Sequence, residues 1–393
     1  MKQSVMSIKI RYSAIQSLFL MAYCSICGFA TVFLSARGFS ASQIGVILAA
    51  ANILAIFLQQ ILAAVIDKSE KITLKTASLF LCVLTMALLA ALYTVHAQKD
   101  KTAVLLLLAT ISILVIQPLL NAVYVYYLGE GVEINFGVAR GCGSVAYAVI
   151  SILLGMSIEQ FGEGSILAAG FWLYVGLFIC IWTLSIYKRE PARSKEKQRF
   201  LRAASLFIKK YVTYFQILLG FVLIFTEHFI LNTFSLQIME SVGGGAGNVG
   251  ISIGIAAFCE LPVMFGFSWI AGRIESRLLL KIAAAVFTLK GLFSLGASTV
   301  GMLYLAQSLQ MLAFGLYTPA IVWYTSQVIE PEDMVKGQSL AIFSSLAGNI
   351  LGNLLGGRIY DSLGAKAMLW AGAAISGAGT VIIFLVKRKD GES

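Results

Sequence analysis

Charge is what this sequence has least of. Asp, Glu, Lys and Arg make up 12% of the 393 residues, and 59% are hydrophobic. A soluble domain carries about 25% charged and about 45–50% apolar residues. A chain so composed cannot cover itself with polar surface, so an ordinary soluble enzyme or binding module is excluded. Histidine occurs twice, and the six cysteines all fall in apolar runs. Cys24 and Cys27 have CxxC spacing but no second pair, which argues against a zinc or redox motif and leaves packing. No HExxH, no GxSxG and no pair of acids spaced for hydrolysis occurs, so an enzyme has no support. The "GGGAG" at 243–247 lacks the Lys-Ser/Thr of a phosphate loop and reads as a flexible external connector. No metal or cofactor is expected.

What the sequence has is apolar runs near the ~20 residues that cross a bilayer core. Twelve spans are expected near 13–35, 41–66, 72–96, 102–128, 137–160, 164–187, 212–239, 248–271, 277–298, 300–328, 336–360 and 364–387. The first run is too long for a signal peptide and is read as a retained helix. With the N-terminus inside, 22 of the 29 Lys and Arg residues fall in cytoplasmic segments, nine of them at 188–210. External loops take Arg37, Lys99, Lys101, Arg358 and Lys366. This positive-inside bias places both termini in the cytoplasm. It also removes nucleic acid as a partner, because the net charge of +10 lies in loops.

The basic segment 188–210 divides the chain into an expected six-helix bundle at 1–187 and another at 211–393. An internal repeat supports the division. "LLGMSIEQFG" (153–162) matches "LGGRIYDSLG" (355–364) at an offset of 202, and "SQIGVILAAAN" (42–52) resembles "GNVGISIGIAA" (247–257) at 205. Two parallel six-helix repeats are the pattern of major facilitator transporters.

Apart from charges in loops or at span ends, four remain inside the spans: Arg140, Glu227, Glu260 and Lys290. Each costs about 2.5–3.5 kcal/mol at a helix centre, so they are expected to face one another or a hydrated cavity. Glu260, beside Pro262 in "IAAFCELPVMFGF", would there accept hydrogen bonds from a ligand or take up a proton. His228 adjoins Glu227 and could share its proton, although a plain hydrogen-bonded histidine is the simpler reading. Tyr23, Tyr124, Tyr126 and Tyr127 read first as packing or interface anchors, with Tyr124 the candidate among them for stacking on a ligand.

The run "FGVARGCGSVAYAV" (136–149) resembles helix five of the oligosaccharide/proton symporters of the major facilitator superfamily, the lactose permease family. The resemblance extends to "SQIGVILAAANILAIFLQQILAAVIDK" (42–68) and "CELPVMF" (259–265), and thinly over nearly the whole chain. It implies that Arg140 binds substrate, that Tyr147 stands where the family stacks a tryptophan on sugar, and that Glu260 is the substrate-binding glutamate. Lys290 falls at a helix-nine arginine, and Glu227, with Asn232, at a helix-seven aspartate. The loop "AAVIDKSEK" (63–71) is similar to the superfamily's cytoplasmic loop, implying a conformational latch at Asp67 and Lys68.

The departures concern coupling and specificity. The family's helix-ten histidine and proton-carrying glutamate fall on Gln310 and Ala313, and its lysine on Gln307. The galactoside-binding glutamate of helix four falls near Asn121 or Ala122, and a helix-eight asparagine on Val263. The reading is therefore a monomeric, multi-pass secondary transporter of a bacterial cytoplasmic membrane, working by alternating access. Its first-choice substrate is a small oligosaccharide or glycoside, bound by Arg140, Tyr147, Glu260, Asn121, Tyr124 and Gln310. Proton symport would run through Glu260, Glu227, Lys290 and His228, with Lys290 pairing Glu227 while Glu260 takes the proton. A nucleoside transporter, an uncoupled facilitator, an exporter of drugs or metabolites and a non-transporting sensor are the alternatives.

Overall fold

A computed structural model describes residues 5–69, 72–95, 98–132, 134–184, 207–208 and 210–386; of the basic segment 188–210, all but 207, 208 and 210 lie outside them. The described residues are helical apart from short connections. Helix α1 runs over Val5–Ala36, through a π-helical turn at Cys24–Gly28. It is followed by α2 (Ala41–Lys68), α3 (Leu74–Thr94), α4 (Lys99–Gly129), α5 (Phe136–Phe161) and α6 (Gly164–Trp182). Next come α7 (Val212–Thr233), α8 (Ala246–Ala271), α9 (Ser276–Leu295) and α10 (Val300–Val328). Met334–Leu385 holds α11 (334–363) and α12 (365–385), divided at Gly364, whose φ of 81° and ψ of 179° leave the helical region. Among the described residues, eleven continuous helical stretches are long and apolar enough to cross a membrane, the last carrying two spans. The expected spans 11 and 12 are thus present without the loop the sequence suggested.

Local signals set the helix ends. Ser40 and Gln43 form a capping box before α2, Thr73 and Thr76 another before α3, and Asn135 and Thr299 cap α5 and α10. Large apolar side chains such as Phe57, Phe80, Trp172, Phe265 and Trp370 stand exposed, as a lipid-facing surface requires.

The chain forms two compact units. The first takes the described residues up to 184 together with Gly244–Phe258; in it α1 packs on α5 and α6, and α3 on α4 and α6. The first part of α8 is fixed there by Glu159, whose Oε1 accepts from the Gly247 amide at 2.9 Å. "GGGAG" is thus only partly a connector: Gly243 has a φ of 82°, but Gly247 sits in the first turn of α8.

The second unit takes the described residues from 207 to Gly243 and from Cys259 onward. Its core gathers Tyr214, Phe221, Phe225, Phe287, Tyr317 and Tyr324 between α7, α9 and α10. Here α7 packs against α11 and α12 very closely. Gly348, Gly352 and Gly356, one helical turn apart, face the α7 backbone and side chains from Val222 to Phe234, the small-residue packing that brings membrane helices together. At the ends of these helices Lys210 bonds Glu330 at 2.5 Å, and Lys336 bonds Asp333 at 2.8 Å. Lys336, with Lys210, holds the Asp333 carboxyl below the usual carboxylate range. That contribution is present at neutral pH and lost as the pH falls through the acid range, and it is small because the pairs are exposed.

The repeat read at an offset of 202 recurs in side-chain geometry. Lys75 donates to the Leu184 carbonyl at 2.6 Å, and Arg277, 202 positions later, donates to the carbonyl of Val386, which is 202 after Leu184. Tyr12 and Tyr214 are both fully buried. Gly170 lies against the Ser25 hydroxyl, and Gly372 lies against the Glu227 side chain. Each residue is 202 positions from its counterpart, so Glu227 stands where the first unit has a serine.

Candidate functional site

The second unit assembles its polar cluster from α7, α8, α9 and α10. Lys290 and Glu227 are each 1% exposed, His228 3%, Gln310 5%, and Glu260 is half-buried. Helix α10 breaks to place one of them. It passes through a short 3-10 turn at Leu309–Met311 and leaves helical geometry at Ala313 (φ −83°, ψ −91°) before Phe314 restarts it. Gln310 sits in that turn. Gly315, just after the break, lets α10 approach α8: a Cβ there would stand 3.2 Å from the Glu260 Cα.

Gln310 bridges the cation and the carboxylate. The Lys290 ammonium donates to Gln310 Oε1 at 2.7 Å, and Gln310 Nε2 donates to Glu260 Oε1 at 2.9 Å. An amide accepts through its oxygen and donates through its nitrogen, so the order Lys–Gln–Glu fixes the orientation of all three. Among the described residues the expected pairing of Lys290 with Glu227 does not take the form of a close ion pair, although the two charges act on each other. Lys290 is drawn to Gln310 because the α10 break brings that amide oxygen within reach. Glu227 instead lies against Gly291 and Gly372, and among the described residues neither of its oxygens has a hydrogen-bond partner.

His228 does not share a proton with Glu227 either. Its Nε2 meets the Asn232 amide at 3.0 Å, and its ring stacks on Phe314 with centroids 5.5 Å apart. Phe225, Phe229 and Phe287 present their rings to its edges. Consecutive positions on a helix point about 100° apart, which carries the two side chains into different surroundings.

The first unit holds the other candidates. The π-helical turn inserts one extra residue per turn, and there the Cys24 sulfur and the Tyr147 hydroxyl both lie beside Gly28. A Cβ at Gly28 would lie 3.3 Å from that hydroxyl. Half-buried Arg140 acts electrostatically on Tyr12 and Tyr23. Tyr124 packs between Phe136 at 5.1 Å and Tyr12 at 6.3 Å, and Gln16 donates to the Tyr12 hydroxyl at 2.9 Å. Asn121 is half-buried on α4. Arg140, Tyr147 and Tyr124 thus lie among the tyrosines of α1, while Asp67 and Lys68 are exposed at the end of α2, away from any of these groups in the sequence.

Sequence reasoning missed the π-helical turn, the Gln310 bridge and the Gly348–Gly352–Gly356 stripe. Only the stripe had a readable signal, its spacing of four in "GNILGNLLGG".

A twice-repeated bundle of apolar helices, with a bridged charge cluster inside one half, defines a membrane transporter of the major facilitator fold. The chain belongs to the MFS_1 like family, whose model matches residues 10–370. It is similar in structure to the nucleoside transporter NupG, with a TM-score of 0.77 at 18% identity, covering 98% of this chain and 99% of that one. It is also similar to the peptide transporter POT (0.74, 12% identity, 96% and 93% covered). A bacterial homologue of the human lysosomal transporter Spinster gives 0.65 at 14% identity, with 98% and 96% covered. No curated protein matches the chain.

Proposed function

We propose that this protein is a secondary transporter of a small solute bearing a sugar, with a nucleoside as the first choice, moved across a bacterial cytoplasmic membrane by alternating access and coupled to protons. The Lys290–Gln310–Glu260 bridge carries the reading. It holds a half-buried carboxylate in one orientation inside a membrane-spanning bundle, and such an acceptor suits the hydroxyls of a ribose or a pyranose. Arg140 supplies a donor, and Tyr147 and Tyr124 supply aromatic faces on which a nucleobase or a sugar ring stacks. The likeness to a nucleoside transporter supports the nucleoside within this class. A glycoside or short oligosaccharide is the second reading, favoured by the run holding Arg140 and Tyr147 together with Glu260. The chain acts as a monomer with both termini in the cytoplasm.

A thermal-shift screen of the purified protein against nucleosides and glycosides separates the two. Stabilisation by uridine or adenosine supports the first, stabilisation by disaccharides alone supports the second, and a response to neither contradicts both. With the ligand found, Arg140→Ala and Glu260→Gln each remove a charged hydrogen bond worth about 1.5–3 kcal/mol. Affinity by isothermal titration should fall by about one to two orders of magnitude in each; a change within about twofold argues against the assignment.

Asp67 is proposed to act in a conformational latch and not in binding. Asp67→Asn is expected to slow exchange of labelled solute at matched protein levels and to leave equilibrium affinity close to wild type. An unchanged exchange rate counts against the latch.

A further inference from the structure

We propose that Glu227 is the site that binds the coupling proton, with Lys290 as a partner it alternates with; this rests on the transporter reading above. Three observations point there. First, Glu227 is 1% exposed, and among the described residues no group donates to either of its oxygens. Second, Lys290, the charged group that acts on it, is engaged by Gln310. Third, the first unit builds the same helix crossing without a carboxyl, since Ser25 stands against Gly170 as Glu227 stands against Gly372. A serine therefore fills the place sterically, and its hydroxyl is satisfied by the Ala22 carbonyl at 2.8 Å. Packing does not require an acid at this crossing.

An ionised carboxylate taken from water without a hydrogen bond is costly, and a neutral carboxyl far less so. The groups around Glu227 leave little else to compensate the charge. Helix α9 contributes Lys290 and Gly291, α12 contributes Gly372, and His228 on α7 points into its phenylalanine cage. Glu260 on α8 acts on Lys290 from beyond Gln310. With Lys290 held by Gln310, Glu227 carries a proton. When Lys290 leaves Gln310 for Glu227, the carboxyl O–H bond breaks, its electron pair stays on the carboxylate oxygen, and the proton passes to water. The ammonium keeps its charge throughout. The same movement removes the brace from Gln310 and hence from Glu260, so proton release and loosening of the solute acceptor are one event. Proton and solute are thereby bound together and released together.

Two readouts test this on the full-length protein. In purified protein, the infrared carbonyl band of a protonated carboxyl should be present in wild type, absent in Glu227→Gln and Glu227→Ser, and retained in Glu260→Gln. In proteoliposomes, uptake of uridine against its gradient under an imposed inward proton gradient should be lost in Glu227→Gln and Glu227→Ser while uridine exchange persists. Wild-type affinity should weaken as the pH rises, and that of Glu227→Gln should not. An unchanged carbonyl band in Glu227→Gln, or uphill uptake that survives the substitution, overturns the proposal. If wild type exchanges no solute at all, the transporter reading fails, and the infrared band still decides whether Glu227 holds a proton.

Discussion

Gly352→Leu is expected to prevent the second unit from assembling. A Cβ at this position would lie 2.5 Å from the Thr226 carbonyl oxygen and 3.1 Å from the Phe229 Cβ. The first of these is backbone in the middle of α7 and cannot rotate away. Gly348 and Gly356 make equally close approaches one turn to either side, so the helices cannot relieve the strain by pivoting at one point. Overpacking a well-filled site typically costs about 1–3 kcal/mol and occasionally more. Gly352→Ala should therefore lower the thermal midpoint, and leucine should abolish monodisperse protein on size exclusion. Gly266→Ala is the control, because a Cβ there meets nothing within 4 Å. A Gly352→Leu protein that elutes and melts like wild type would show that the packing of α7 on α11 is not as described.

The second large effect is expected at Lys290. Lys290→Met removes the donor to Gln310 Oε1 and leaves the amide oxygen of a residue only 5% exposed without it. A hydrogen bond to a charged group is worth about 1.5–3 kcal/mol, and the loss should appear in thermal or denaturant unfolding of the detergent-solubilised protein. Residues in one network are also non-additive, with coupling energies of about 0.5–3 kcal/mol. Gln310→Leu made in the Lys290→Met background should thus cost clearly less than Gln310→Leu in wild type. Simple additivity of the two would mean that the bridge does not operate as a unit.

The bundle was legible because one physical requirement wrote it. A segment that crosses a bilayer must be apolar over a fixed length, and that length is visible along the chain. The repeat at an offset of 202 was legible for a similar reason, since two copies of one unit keep their turns in register. The positions of the embedded charges were also readable, because Glu227, Glu260 and Lys290 are the charged residues inside otherwise uncharged, mostly apolar runs. Their partners were not. Which acid Lys290 reaches is decided by the break in α10 at Leu309–Ala313, and "LQMLA" holds no glycine, proline or charge that would mark a break. The π-helical turn at Cys24–Gly28 was hidden in the same way: it changes the hydrogen-bond register by one residue without changing composition. The glycine stripe on α11 was written in the spacing of Gly348, Gly352 and Gly356, but a pattern of small residues announces its partner only once α7 lies against it.

Counterflow in proteoliposomes shows whether the protein carries a sugar-bearing solute. Vesicles holding the purified protein are loaded with unlabelled uridine and diluted into a trace of labelled uridine, with lactose in parallel vesicles. Transient accumulation of label is expected with uridine, reduced in Arg140→Ala and Glu260→Gln and retained in Glu227→Gln. Accumulation with lactose alone would move the substrate to the glycosides, and accumulation with neither would rule out transport of a sugar-bearing solute.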